Sequence, residues 1–456
     1  MRRVVKVSRI RIIITIIVVV LTTLLTGCTG KEPNEIAYVV ALGIDSTDDD
    51  NYKITIQYAN TTQISGGASE SGGKAGSEIV DNVTIEAPNI YAGVGLANNI
   101  VSKSLSMSHA KLIVFSKEIA EKGVKDMIET LVRSEEIRPD VFIAVANTTA
   151  NDYLTSVNPE MEVNPAQYYQ LIYQKNQLVG IPDGQLREFF TGLYTDNYDS
   201  ILPIAGVIEG SGGNSQNDDK GQSKDSQNEG SEGSSESLDS FESKSSNEKD
   251  ENEKEKDAEK NTSKYEYDIK NYVGGETAIE KKNKAEAIGA AVFEKDKMVG
   301  ELGEVETEIC KMLKGDYTYS YLTYYNNDTP DIPITVKTTQ QKKPKYKIDT
   351  DKKTVDIELY IESDLYSLPA DYNVENKIED FERDVANYTS SACTEFINNF
   401  TKKYNSDILK LNEKIKYKFL TNNQYNWFKK NVGWSEYKFS VCTNFKVRRT
   451  GLIVRE

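Results

Sequence analysis

The residue best placed for covalent chemistry is Cys28, which ends the stretch Leu25-Thr26-Gly27-Cys28. A cysteine thiolate is a strong nucleophile, and the small residues before it leave room for cleavage of the neighbouring peptide bond. A basic segment and an aliphatic run, 1–11 and 12–25, come first. This order is typical of an export signal, so we expect residues 1–27 to be removed.

The aliphatic run is short for a membrane-spanning helix. It reaches about 21 Å at ~1.5 Å per residue, whereas the hydrocarbon core of a bilayer is ~30 Å thick. Leu25 to Cys28 resemble the lipobox of bacterial lipoproteins, whose cysteine takes a diacylglycerol thioether. Two or three acyl chains on Cys28 would give stable attachment, with residues 28–34 as a tether. The alternative is an uncleaved anchor with an incidental cysteine.

Other catalytic chemistry has little support in the sequence. His109 is the single histidine, and no GxSxG, HExxH, CxxC or phosphate-binding loop occurs. We therefore expect a structural role for His109, no metal site, no cofactor and no enzymatic activity. Once Cys28 is modified, an odd number of cysteines remains: Cys310, Cys393 and Cys442. We expect three buried or half-buried thiols and no disulfide framework.

The charge of the chain argues against nucleic acid as a partner. The 456 residues include 55 Lys and Arg against 71 Asp and Glu, a net charge of −16, which repels a phosphate backbone. Half of that excess lies in residues 209–264, where 16 acidic and eight basic residues accompany Ser, Asn and Gly. Such a tract buries too little apolar surface to offset the entropy of ordering, so we predict a disordered linker.

Hydrophobic periodicity predicts a mixed α+β fold of about three domains. Residues 36–44 form an apolar run typical of a buried strand, while 437–447 alternate apolar and polar residues. Apolar positions at helical spacing in 378–396 predict a long helix. We predict an N-terminal domain, a linker, a middle domain and a C-terminal domain, with these boundaries: 35–208, 209–282, 283–340 and 341–456.

A charged corner follows an amphipathic helix at Arg133-Ser134-Glu135-Glu136-Ile137-Arg138. Arg133, Glu136 and Arg138 could form an ion-paired turn, or they could contact a partner. We favour the structural role, but among candidate docking residues this corner and the strand-flanking His109 combine charge with a strand edge.

The chain resembles the Ger(x)C family, the lipoprotein C subunits of spore germination receptors. Arg133, Glu136 and Arg138 match the family pattern R-D-P-E-x-R, with Ser134 and Glu135 replacing its middle pair. The other blocks that carry the resemblance are, in order, the lipobox, Glu35-Ile36, Leu42 to Asp45, His109 to Phe115, Leu202 to Ile204, Ala290 to Phe293, Gly300 to Leu302, Glu306-Thr307, Asp407, Trp427, Trp434, Phe439 and Gly451. The acidic linker and a Gly/Ser-rich insert at 63–77 lie between blocks.

The resemblance implies a lipid-anchored, non-enzymatic subunit with three α+β domains on the outer face of the spore inner membrane. It also implies two integral-membrane partners, the A and B subunits, in a receptor that triggers germination in response to nutrients. The main alternative is a solute-binding lipoprotein of a membrane transporter, which would usually show two α/β lobes around a cleft. An envelope hydrolase is a weaker alternative because the chain has a lone histidine.

Overall fold

The computed structural model describes residues 13–17, 35–49, 51–59, 80–158, 164–174, 180–195, 197–208, 271–277, 283–326, 329–368 and 377–450. Within these ranges the chain builds two β-sheets and the helices that cover them. The fold class is therefore α+β, as predicted. The residues of the lipobox, Leu25 to Cys28, lie outside the described residues.

The first sheet has nine strands in the described part of the chain, in the order β3-β2-β1-β5-β6-β7-β8-β9, with β4 beside β1. The strands are β1 Ile36–Ser46, β2 Tyr52–Ala59, β3 Val80–Ala87, β4 Ser104–Ser106, β5 Leu112–Ser116, β6 Phe142–Ala146, β7 Ile201–Val207, β8 Ala285–Glu294 and β9 Lys297–Leu302. The four central strands, β1, β5, β6 and β7, run parallel. Their amino-terminal ends therefore meet at one edge, which we call the N-terminal edge.

Helices cover both faces of the first sheet. They are α1 Ile90–Ala97, α2 Lys117–Lys122, α3 Lys125–Val132, α4 Ala150–Ser156, α5 Pro165–Gln174 and α6 Leu186–Thr195. Ile113 on β5 faces one buried cluster and its neighbour Leu112 faces another. A strand buried on both faces reads as a continuous apolar run, which explains the composition of β1, β5 and β6.

The second sheet has five strands among the described residues, with β10-β11-β13-β12 in order and β14 beside β13. Its strands are β10 Tyr319–Asn326, β11 Thr329–Gln340, β12 Lys345–Asp349, β13 Thr354–Ser367 and β14 Lys438–Arg449. The remaining helices are α7 Glu304–Lys314, α8 Ile378–Tyr404, α9 Leu411–Ile415 and α10 Asn422–Asn431, with short 3₁₀ turns at Lys416–Lys418 and Trp434–Glu436. The long helix α8 packs along β14, and Phe396, Ile397 and Phe400 meet the buried side chains of this sheet.

The residues of the predicted middle domain, 283–340, are divided between the two sheets. Strands β8 and β9 continue the first sheet, because β8 pairs antiparallel with β7 over Ile201–Val207. Strands β10 and β11 open the second sheet. Among the described residues we thus find two sheet-containing regions rather than three, and the exact domain boundaries remain predictions.

Residues 271–277, placed in the linker by the sequence, pack against the first sheet. The Asn147 amide donates to the Gly274 carbonyl at 2.7 Å, and Gly274 N–H donates to the Ile288 carbonyl at 3.0 Å. A Cβ on Gly206 would lie 2.1 Å from the Gly275 nitrogen, so the two backbones meet at a distance that glycine alone permits. The composition of the predicted linker gave no sign of this packing, and the rest of that tract lies outside the described residues.

The three described cysteines are all free thiols. Cys310 and Cys393 are buried, and burial raises the pKa of the Cys310 thiol to about 11 and that of Cys393 to about 12. Cys442 is exposed, contrary to the expectation of three buried or half-buried thiols. It lies on the polar side of β14, where alternation points every second residue toward solvent.

Candidate functional site

β1 is the first described strand after Cys28 in the sequence. β1 begins at Ile36, and Ile36 to Tyr38 pair in parallel with β4. β4 in turn leads into the loop that carries His109. The N-terminal edge is thus the side of the first sheet closest along the chain to the predicted lipid.

The charged corner also lies at this edge. Glu136 accepts a hydrogen bond from the Met107 backbone N–H at 2.6 Å, which joins the turn after α3 to the loop after β4. Ser134 Oγ accepts from the N–H groups of Glu136 and Ile137 and shapes the turn. The structure therefore brings Glu136 into contact with Met107, which lies two residues before His109 in the chain. The sequence alone does not show that these two candidate sites are neighbours.

The two arginines of the corner pair with other acids. Arg133 lies 3.0 Å from Glu129 one helical turn earlier, and Arg138 Nε lies 3.4 Å from Asp140. Both side chains are exposed, and exposed pairs of this kind contribute about 0–1 kcal/mol. The arginines are thus held on the surface by weak contacts, while Glu136 makes the structural one.

His109 is exposed and packs edge-on against Tyr38, with ring centroids 4.7 Å apart. Tyr38 is on β1, two residues after the strand begins. The contact ties the loop before β5 to the start of β1. Nothing among its described neighbours resembles a nucleophile–base–acid arrangement.

The block Leu42 to Asp45 has a clear structural purpose. Asp45, 5% exposed, accepts hydrogen bonds from the N–H groups of Ala150 at 2.6 Å and Asn151 at 3.1 Å. These are otherwise unpaired donors of the first turn of α4. Gly43 lies where an added Cβ would be 3.0 Å from Leu154, so α4 packs closely on the strand. This acidic residue therefore caps a helix.

A polar pocket lies where the two sheet regions meet. Its volume is about 390 Å³, and its lining comes from three separate stretches, 182–202, 311–318 and Lys410. The charged lining residues are Asp183, Glu188, Asp199, Lys311, Lys314, Asp316 and Lys410. Pockets at such junctions are common places for small-molecule binding. Here two ion pairs, Lys410 with Glu188 and Lys314 with Asp316, involve four of the seven charges.

One ion pair and one lysine–carbonyl hydrogen bond cross the junction. Lys410 lies 2.9 Å from Glu188 and 4.2 Å from the centre of the Tyr198 ring. Lys311, 5% exposed, donates to the Ile181 carbonyl at 3.1 Å, and burial lowers its pKa to about 8. The pocket is therefore built as a polar seam between distant parts of the chain.

Two aspartates, Asp199 and Asp407, make the hydrogen bonds that hold this polar seam together. The Asp199 carboxylate accepts from the Asp407 N–H at 2.9 Å, and Asp199 N–H donates to the Asp407 carbonyl at 3.2 Å. The Asp407 carboxylate accepts from the N–H groups of Leu411 at 2.7 Å and Asn412 at 2.8 Å. Burial raises the pKa of Asp407 to about 7 despite these bonds. A half-buried acid, Glu308 on α7, also has its pKa raised to about 7, chiefly by desolvation.

Sequence reasoning missed this seam. In the sequence, Asp407 is one of the residues that carry the family resemblance, and nothing marks it as part of a site. Asp183, Lys311 and Lys410 lie in no recognisable local pattern. A buried lysine within an amphipathic helix was the one available signal. In the described part of the chain, no helix is both long and apolar enough to cross a membrane, and no group of three or more His, Cys, Asp or Glu could hold a metal ion.

Two family models match the chain in order. The first, described as the spore germination protein N-terminal domain, covers residues 30–207, and the second, described as spore germination B3/GerAC like, C-terminal, covers residues 288–451. Between them they span most of the chain on both sides of the acidic tract. The chain belongs to the Ger(x)C family of spore germination proteins.

Curated relatives agree with this assignment. Spore germination protein KC of Bacillus subtilis (strain 168) is 27% identical over 174 residues, which cover 35% of this chain and 42% of that protein. Spore germination protein GerQC of Bacillus cereus is 28% identical over 104 residues, covering 23% of this chain and 29% of that protein. Each alignment thus spans less than half of the relative. The crystal structure of the GerBC protein aligns over 89% of this chain and 96% of that one, with 15% identity and a TM-score of 0.48.

Proposed function

We propose that this chain is the lipid-anchored, non-catalytic C subunit of a nutrient germinant receptor, needed for spore germination in response to nutrients. The observation that carries the proposal is the ordered match of both family regions, the first of which begins two residues after Cys28. A lipid on Cys28 would hold the N-terminal edge of the first sheet beside the outer face of the spore inner membrane. There the chain would assemble with the integral-membrane A and B subunits.

The non-catalytic part of the proposal rests on the chemistry of the site. The polar pocket is lined by neither histidine nor cysteine, and its Lys410 pairs with Glu188 across the junction. His109 packs edge-on against the ring of Tyr38. A solute-binding role in a transporter is not favoured, because the family regions belong to germination proteins.

The test is deletion of the gene followed by complementation in spores. We expect spores without the protein to lose germination toward at least one nutrient, and the wild-type gene to restore it. Complementation with Cys28→Ala should restore little, because the folded part would no longer be held at the bilayer. Normal germination of the deletion strain toward every nutrient, in a strain without other receptors, would overturn the receptor assignment. Full rescue by Cys28→Ala would overturn only the anchor.

We also propose that Arg133 and Arg138 contact a membrane partner. Both side chains are exposed at the N-terminal edge, and their intramolecular pairs are weak enough to exchange for new ones. The double variant Arg133→Glu/Arg138→Glu should lower nutrient-triggered germination. Arg383→Glu is the matched control, since Arg383 lies on α8 in a similar surface pair with Asp380. Equal germination in both variants would contradict a role in docking.

A further inference from the structure

An unusual surface lies between α9 and the end of α10. Three large side chains there are largely exposed: Tyr417 at 82%, Leu420 at 93% and Trp427 at 63%. Three exposed lysines accompany them, Lys416, Lys418 and Lys430. We call these six residues the basic–aromatic patch. An exposed cluster of this kind is informative in a way that single exposed apolar residues are not.

The exposure follows from how this segment packs. Phe419 points inward, with its ring centroid 5.7 Å from that of Tyr425 and 5.1 Å from that of Phe428. A residue just before a helix cap, here Leu420 before Thr421, often packs against the fourth helical residue, which is Tyr425. Phe419 contacts Tyr425 instead, so Leu420 is left in solvent.

Trp427 is exposed for a related reason. The inner face of α10 consists of Tyr425 and Phe428, both buried, and Trp427 lies on the outer face. The other tryptophan, Trp434, is 3% exposed and lies beside Phe428 in the core. The protein can thus bury a tryptophan in this region, and Trp427 is nonetheless left outside.

The charge of the patch opposes that of the chain. The net charge is −16, yet residues 414–430 contain five lysines and no acidic residue. Lys429 and Lys414 turn toward the protein, where Lys429 bonds to Asn197 and Lys414 lies over the Tyr346 ring. The three lysines of the patch are exposed residues. Lys418 donates to the Ile348 carbonyl, and the Lys416 ammonium lies 5.9 Å from the centre of the Tyr425 ring.

The patch lies toward the N-terminal edge of the first sheet. Tyr425 and Lys429 both donate to the Asn197 side-chain oxygen, at 3.1 Å and 3.0 Å. Asn197 comes four residues before β7 starts at that edge. β1 starts at the same edge, and the eight residues from Cys28 to Ile36 reach at most roughly 26–29 Å when extended. An anchor at Cys28 would therefore keep this side of the protein near the bilayer.

We propose that the basic–aromatic patch binds the surface of an anionic membrane. Trp427 and Tyr417 would sit at the headgroup level, where amphipathic aromatic rings are favoured, and Leu420 would enter the acyl boundary. The three lysines would meet lipid phosphates. The position of the patch relies on the proposed Cys28 anchor, but its chemistry does not.

The two tryptophans allow a direct test on the full-length protein in vesicles. Phosphatidylcholine vesicles with and without phosphatidylglycerol are prepared with lipids brominated near the headgroup, which quench indole fluorescence on contact. The difference between wild type and Trp427→Phe isolates the signal of Trp427. We expect Trp427 to be quenched by brominated lipid and shielded from aqueous acrylamide when phosphatidylglycerol is present. The signal that remains in Trp427→Phe, from buried Trp434, should respond to neither quencher.

Charge variants test the lipid preference. Lys416→Gln/Lys418→Gln/Lys430→Gln should weaken the seating of Trp427, by which we mean the vesicle affinity measured from its quenching by brominated lipid. The expected loss of affinity is roughly fivefold for each lysine–lipid contact at low salt. Lys53→Gln/Lys125→Gln/Lys284→Gln removes the same charge from exposed positions in the first sheet region and should change nothing. Raising the salt concentration should weaken wild-type seating because the surface charges are screened.

Each result distinguishes the patch from the anchor. Co-sedimentation of the protein with vesicles while Trp427 stays open to acrylamide would overturn the patch proposal and leave the anchor intact. Shielding that appears only when membrane proteins are added would also overturn it, in favour of a protein partner. Equal seating of the two triple variants would show that the lysines do not recognise anionic lipid.

Discussion

The two sheets bury their strands differently, and the contrast explains where this chain is rigid and where it presents a surface. In the first sheet, every residue of β5 and β6 is buried, and consecutive side chains enter cores on opposite faces. In the second sheet, β14 alternates strictly, with Phe439 and Val441 inward and Lys438, Ser440 and Cys442 outward. Helix α8 covers one face, and the other carries polar pairs such as Ser440 with Asp356.

The two regions therefore expose different kinds of surface. A sheet covered on both faces can expose only its edges, so in the first region the corner with Arg133 and His109 appears at the N-terminal edge. The second region has a solvated sheet face and, after α8, the segment that carries the basic–aromatic patch. Hydrogen bonds between Asp199 and Asp407 join the two regions.

The largest expected effects test the two-sided burial. Ile113→Ala and Leu112→Ala should each lower the free energy of unfolding by about 2–5 kcal/mol, although the residues are adjacent. On β14, Phe439→Ala should cost about 3–5 kcal/mol. Lys438→Ala should stay within about 0.5 kcal/mol, since its side chain is in solvent. Urea denaturation of the full chain measures all four, and a tolerated Leu112→Ala would remove the contrast between the sheets.

A smaller loss is expected at the helix cap of the first sheet. Asp45→Ala leaves the Ala150 and Asn151 N–H groups without their acceptor and should cost about 1–3 kcal/mol. Asp45→Asn should cost less because the amide oxygen still accepts one bond. Asp48→Ala, at an exposed position in the following turn, serves as the control in thermal unfolding. If Asp45→Ala unfolds at the same temperature as Asp48→Ala, the cap is not structural.

The seam between the regions should respond to pH. Burial raises the pKa of Asp407 to about 7, so the folded carboxyl keeps its proton to a higher pH than the unfolded one. Stability from this group is fully present below the unfolded pKa, about 4, and is lost as the pH rises through about 7. Asp407→Asn should flatten this decline, measured by denaturation at several pH values.

Glu308 gives the same sign, because its pKa is also raised to about 7, so part of the decline should survive in Asp407→Asn. Replacing the exposed Asp140 by Asn is the control and should leave the profile unaltered. A wild-type protein that becomes steadily more stable from pH 4 to pH 8 would contradict the buried, protonated seam.

The smallest expected effect on stability is at the charged corner, residues 133–138. Glu136→Ala removes the acceptor of the Met107 N–H and should cost about 0.5–1.5 kcal/mol, felt locally. Hydrogen exchange at Met107 should speed up, whereas Glu135→Ala should leave it unchanged. Unchanged exchange in both variants would mean that the turn after α3 does not hold the loop after β4.

Local patterns predicted much of the fold from sequence. The alternation of β14, the apolar run of β1 and the spacing of α8 each follow from burial on one face, two faces or a stripe. The assignment of β8 and β9 to the first sheet did not follow, because pairing with β7 is a choice between partners far apart in sequence. The order of 271–277 depends on Gly206 and Gly275, whose closeness no local pattern records.

The candidate sites divide in the same way. Cys28 and the corner are contiguous motifs, so the sequence could mark them. The seam gathers Asp199, Lys311 and Asp407 from three distant stretches, and each looks like an ordinary surface charge by itself. The exposure of Leu420 depends on Phe419 packing against Tyr425 and Phe428 in its place, a packing detail that the sequence pattern does not contain.

The central claim, that Cys28 fastens this folded chain to a membrane at its N-terminal edge, has one most direct test. The protein is extracted from spore inner membranes and the mass of its amino-terminal peptide is measured. We predict a peptide that begins at Cys28 and carries a diacylglyceryl group with two or three acyl chains. A peptide that begins before Leu25, or an unmodified Cys28 in membrane-bound protein, would contradict the claim.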